Sequence, residues 1–109
     1  MPYDHDLAER MRPAFLPRAG AGEKNMFGGI GFFVYGNMCC GIWQDLMVIR
    51  LSLEEGAKAL KEKHVRVMDI TGKPMKGWLF IEPEGCKKDK DLLMWIERAY
   101  AFASSLPRK

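Results

Sequence analysis

Apolar residues along this chain alternate between helical spacing and dense runs of aromatic and β-branched side chains, with glycine, proline and charge between them. Near the start, Asp4 can cap a helix in which Leu7, Met11 and Ala14 share one side. Glu9, Arg10 and Arg12 then face outward, and Pro13 is tolerated only near the end. Pro17 to Gly22 is rich in breakers and predicts a loop. Met26-Phe27-Gly28-Gly29 then leads into Ile30-Gly31-Phe32-Phe33-Val34-Tyr35, whose composition predicts a strand. Gly36-Asn37 suits a tight hairpin into Met38 to Trp43, and Gln44-Asp45 turns the chain again into Leu46 to Leu51. These three strands form a meander.

Ser52 and Glu55 have the spacing of a capping box. Ala57, Ala59 and Leu60 give the helix that follows an apolar side, running to about Lys63. Val65 to Ile70 predicts a fourth strand, Thr71-Gly72-Lys73-Pro74 a turn, and Gly77 to Ile81 a fifth strand stopped by Pro83. A long last helix is capped by Asp89 or Asp91, with Leu92, Leu93, Ile96, Ala99, Tyr100 and Ala103 on its apolar side and Glu97 and Arg98 in water.

The predicted order is therefore α-β-β-β-α-β-β-α. Short connections make the first three strands antiparallel, and the economical architecture is a two-layer α+β sandwich with helices on one face of a five-stranded antiparallel sheet. One domain accounts for residues 1–109, and 48% hydrophobic residues suffice for one core.

A sheet covered on one face should alternate apolar and polar side chains, and this one does not. Phe32-Phe33, Cys39-Cys40 and Met47 to Ile49 put apolar groups on both faces. Burial of the second face in a homodimer or against a protein partner is expected, with Phe33, Tyr35, Trp43 and Met47 as candidate interface residues. The competing expectation is cover by loops and strand ends of the same chain.

Composition narrows the function classes. The start MPYDHDLAERM lacks the basic and apolar regions of a signal peptide, and every apolar run is too short to span a membrane, so a cytoplasmic protein is expected. Three cysteines, Cys39, Cys40 and Cys86, are odd in number and lack CxxC spacing, which predicts reduced thiols rather than a disulfide framework or zinc site. The net charge of +3 comes from dispersed basic residues, which permits nucleic-acid contact without requiring it.

Candidate chemistry is sparse. Gly28-Gly29-Ile30-Gly31 resembles a phosphate loop only in its glycines, because the Lys-Ser/Thr of a P-loop is missing and a strand follows; a bulge or tight turn is the simpler reading. Cys39 and Cys40, adjacent on a strand, should point to opposite faces and serve as core residues. A nucleophilic cysteine would need a base, and only His5 and His64 are available. No catalytic residue, cofactor or metal ligand is therefore assigned.

Asp69, Thr71, Lys73 and Lys76 around the second hairpin are candidate ligand-binding residues, against the plain reading of a wet turn. Lys58, Lys61, Lys63 and Arg66, with His64, Lys73 and Lys76, could form a basic strip for nucleic-acid phosphates, against the plain reading of a solvated face. Trp43, Trp78, Trp95, Phe27, Phe32, Phe33 and Phe80 are expected to build the core and any interface.

The segment from Met26 to Phe32, then Gly36-Asn37-Met38 and Leu46 to Arg50, resembles the TfoX/Sxy N-terminal domain family, marked by an MFGG-type start to a glycine-punctuated meander. The resemblance continues through Lys73 to Trp78 and Leu93 to Ala99, nearly the whole chain. It implies a type III secretion chaperone-like sandwich, often paired into dimers. Full-length members regulate competence genes alongside a cyclic-AMP-responsive activator and carry a second, C-terminal domain. That domain is expected to be absent from this chain, which ends soon after its last helix. The resemblance implies a non-enzymatic interaction or regulatory module; a nucleic-acid-binding accessory domain and a small-molecule binder are the alternatives.

Overall fold

The computed structural model describes residues 3–26, 28–69, 72–73 and 75–108. Helix α1 (His5–Phe15) starts where the Asp4 carboxylate accepts the Leu7 amide at 3.1 Å, and it buries Leu7, Ala8, Met11 and Phe15. Strands β1 (Ala21–Met26), β2 (Gly29–Val34), β3 (Asn37–Trp43) and β4 (Leu46–Arg50) follow, then α2 (Leu53–Ala59), β5 (Val65–Val67), β6 (Trp78–Ile81), a 3₁₀ turn (Pro83–Gly85) and α3 (Asp89–Ser105).

The sheet is open, antiparallel and six-stranded, in the order β1-β2-β3-β4-β6-β5. The expected five strands missed β1. Its sequence AGEKNM has no apolar alternation because it is a solvent-facing edge strand, formed by pairing Ala21 to Met26 with Val34 to Gly29. Glu23 and Lys24 lie on this edge, a charged composition that discourages pairing with a further strand. Arg12 of α1 holds Glu23 at 3.0 Å.

Other boundaries also move. The β2–β3 turn centres on Tyr35 and Gly36, with φ of 49° and 85°, so Asn37 already belongs to β3. Both central residues are left-handed, as the twist of a two-residue hairpin demands. Ser52 accepts the Glu55 amide at 3.1 Å as the capping pattern predicts, yet α2 ends at Ala59 rather than near Lys63. Helix α3 begins after Lys88, without a side-chain cap; Asp89 and Asp91 sit inside its first turn. Arg10 closes this end instead, donating to the Cys86 and Lys87 carbonyls, each at 2.9 Å, and to Asp89. Phe27, Ile70, Thr71 and Pro74 lie outside the described residues.

One face of the sheet carries the main core. Ile30, Phe32, Val34, Ile42, Met47, Ile49, Leu79 and Ile81 pack with buried residues of α1 and α3, and Phe15 stacks on Phe32 at 4.9 Å. The other face has a smaller cluster of Leu46, Val48, Met68 and Phe80, packed under Met38, Trp43 and Trp78. Trp43 lies flat on Phe80, with centroids 5.4 Å apart and rings 6° from parallel. Gly31 and Gly41 face each other on β2 and β3, and Met26, Phe33 and Met38 close over them. This face is therefore covered in large part by its own aromatic and thioether side chains, while Phe33, Met38, Trp43 and Trp78 stay half-exposed.

Candidate protein-interaction surface

Helix α2 has seven residues and apolar groups on two sides. Gly56 and Ala59 turn inward and are buried. Leu53, Ala57 and Leu60, at i, i+4 and i+7, run in one stripe beside Gly56 and with it line a groove, whose other wall is Val67, Met75, Lys76, Gly77, Trp78 and Leu79. The groove encloses about 400 Å³. Its floor is set by two glycines: a Cβ on Gly56 would come within 3.0 Å of the Gly77 Cα, so α2 lies directly on the chain entering β6. Gly77 is held there by its carbonyl, which accepts the Leu51 amide at 2.8 Å, and by its own left-handed backbone (φ 85°).

Four large apolar side chains of this groove are open to solvent: Leu53 at 67%, Leu60 at 39%, Val67 at 37% and Met75 at 38%. Single exposed leucines are ordinary on protein surfaces, whereas several lining one concavity mark a binding surface. The groove also borders β5, the outermost strand at this end of the sheet.

Of the candidate interface residues, Phe33 and Trp43 are half-exposed on the second sheet face. Tyr35 lies at the hairpin turn, under the Arg108 guanidinium at 3.8 Å. Met47 is fully buried in the main core and is corrected to a packing residue, because its position on β4 points it at the helices.

Among the candidate ligand-binding residues, Asp69 and Lys73 are exposed, Lys76 lines the groove, and Thr71 is outside the described residues. The candidate nucleic-acid residues diverge. Lys58 is within ion-pair reach of Glu54 and Glu55, and Arg66 lies over Phe80 on the second sheet face, 3.8 Å from Glu82. Lys63 lines a different cleft of about 750 Å³, together with His64, Lys87 and Lys88 but also Glu62, Glu84 and Asp91. Lys61 is exposed beside Leu60.

Cys39 and Cys40 do not point to opposite faces. The β2–β3 register passes from Phe32↔Cys40 to Phe33↔Met38, leaving Cys39 as the extra residue of a bulge. Both thiols are thereby turned into the main core, with sulfurs 3.6 Å apart. Burial pushes the Cys40 thiol well above its usual range, and the neighbouring Cys39 adds to this. Burial also raises Cys86, to about 11. Thiols held protonated in this way are poor nucleophiles.

Gly29 belongs to the glycine-rich start of β2. A Cβ there would lie 2.1 Å from the Ile42 carbonyl oxygen, so the residue is needed for close strand approach. The left-handed Gly28 before it (φ 75°) is needed for the turn. A family model described as the TfoX N-terminal domain matches residues 15–103. The chain belongs to the TfoX N-terminal domain family. In this TfoX N-terminal domain the match runs from the last residue of α1 into the last turn of α3, and so takes in the whole sheet and the groove. No curated protein and no solved structure matches the chain.

The groove was only half legible beforehand. Ala57 and Leu60 read as the buried side of α2, because a short helix with small and large apolar groups on two flanks does not declare which flank faces in. Leu53 and Met75, separated from any long apolar pattern, carried no signal of their own.

Proposed function

We propose that this TfoX N-terminal domain is a non-enzymatic protein-interaction module with a regulatory role, in transcription or competence as the family implies. The observation that supports it is the groove between α2 and the entry to β6, where Leu53, Leu60, Val67 and Met75 stay open to solvent around one concavity. A binding protein gains by removing such apolar area from water, at roughly 25 cal/mol per Å² before association costs.

Affinity capture from nuclease-treated native lysate, comparing the wild-type domain with Leu53→Glu/Leu60→Glu, tests the reading. Both positions are exposed, so the variant is expected to melt with the wild type. The expected result is one stoichiometric, nuclease-resistant protein that the variant fails to retain. Recovery that vanishes with nuclease, or that the variant retains in full, contradicts the reading; the first outcome favours a nucleic-acid accessory role.

A further inference from the structure

The groove carries information about its occupant as well as its existence. Its walls are side chains rather than a free backbone edge, and the adjoining strand β5 has only three residues. An added strand would find few amides to pair with, so the groove is shaped for side chains. Leu53 and Leu60 are seven residues apart along α2 and its C-cap. At 1.5 Å per residue this wall is about 10 Å long, the span of apolar residues at i, i+3 or i+4, and i+7 on a second helix.

Among the described residues, the one charged side chain lining the groove is a lysine. Lys76 is part of its wall, Lys61 follows Leu60, and Lys73 lies in the same loop as Met75. Among the described residues none of these three has a carboxylate within ion-pair distance. The acidic groups of α2, Glu54 and Glu55, are directed to Lys58, and the loop between β5 and β6 offers a single carboxylate, Asp69. A basic rim around an apolar trough complements an apolar stripe flanked by acids.

Resting on the interaction-module reading above, we infer that the groove between α2 and the β5–β6 loop docks a short amphipathic helix of another protein, apolar on one side and net acidic on its flanks. Leu53, Leu60, Val67 and Met75 take the apolar stripe, and Lys61, Lys73 and Lys76 meet the flanking carboxylates. Charge governs partner choice, and the apolar contacts supply most of the affinity.

The test is selection from a phage-displayed library of random 16-residue peptides against the wild-type domain, with each enriched peptide re-measured by fluorescence anisotropy. The comparison proteins are Leu53→Glu/Leu60→Glu and Lys61→Glu/Lys76→Glu, all four positions being exposed on the folded domain. The expected result is enrichment of net-acidic peptides with apolar residues at helical spacing. Binding should fall at least about tenfold for the leucine pair and severalfold for the lysine pair, the latter with a marked salt dependence.

Groove-dependent peptides that are neutral or basic, or affinity indifferent to Lys61→Glu/Lys76→Glu, would overturn the acidic partner while leaving an interaction module standing. No groove-dependent peptide, with a wild-type dimer by light scattering that Leu60→Glu dissociates, would make a second copy the occupant. No groove-dependent peptide and a monomer would overturn both the partner and the interaction-module reading.

Discussion

Two adjacent glycines at the start of β2 should fail for different reasons when a methyl group is added. Gly28 has a left-handed backbone (φ 75°) and nothing within 4 Å of the position a Cβ would take. Gly28→Ala therefore suffers conformational strain alone, about 1–2 kcal/mol, offset in part by about 0.4–1 kcal/mol from the stiffer unfolded chain. Gly28→Asn should cost less, since asparagine enters this region more readily. Gly29 is the opposite case. Its added Cβ would be 2.1 Å from the Ile42 carbonyl oxygen and 3.2 Å from that carbonyl carbon, and backbone cannot rotate away as a side chain can. The β2–β3 pairing must separate locally. With the hydrogen bonds on either side of the site weakened, a loss of at least about 3 kcal/mol is expected. Urea unfolding of the three variants and the wild type, followed by tryptophan fluorescence, measures the midpoints at a common slope. Equal midpoints for Gly28→Ala and Gly29→Ala, or a Gly28→Asn no better than Gly28→Ala, would refute the assignment of strain to one glycine and strand contact to the other.

Three further outcomes follow from particular contacts. Asn37 is buried and its amide donates to the Pro107 carbonyl at 2.9 Å, so Asn37→Ala should destabilise by about 1–2 kcal/mol and increase amide exchange of residues after α3. Trp43→Ala should uncover Phe80 and the second sheet face, lowering stability by about 2 kcal/mol and raising binding of an apolar dye. Cys86 titrates at about 11 when folded against an ordinary 9.0, and Cys40 is shifted the same way. Native protein then holds thiol protons that unfolded chain releases, so stability is intact below about 9 and falls as pH rises toward 11 and beyond; replacing Cys86 with alanine should flatten part of that decline in alkaline unfolding curves.

The strands β2, β3, β4 and β6 were legible because dense apolar runs separated by turn residues have few other solutions. The Asp4 and Ser52 caps were legible because their spacing to the amides they accept is local. What escaped was decided at a distance. β1 is polar and becomes a strand only because β2 offers it an edge. The placement of both thiols in one core depends on a bulge set by cross-strand register, and strand periodicity alone gave the opposite answer. The groove depended on which flank of α2 would be buried, and the contact of Gly56 with Gly77 decides that. Basic residues that look clustered in sequence, Lys58, Lys61, Lys63 and Arg66, separate once β5 turns Arg66 to one sheet face and Lys63 enters another cleft.

The most direct test of the groove as a docking surface is a series of ¹H–¹⁵N correlation spectra of the labelled domain, titrated with a net-acidic peptide from the selection. Shifts concentrated in residues 53–61, 65–68 and 75–79, and absent in Leu53→Glu/Leu60→Glu, are the expected result. Shifts centred instead on Phe33, Met38 and Trp43, on the second sheet face, would contradict it.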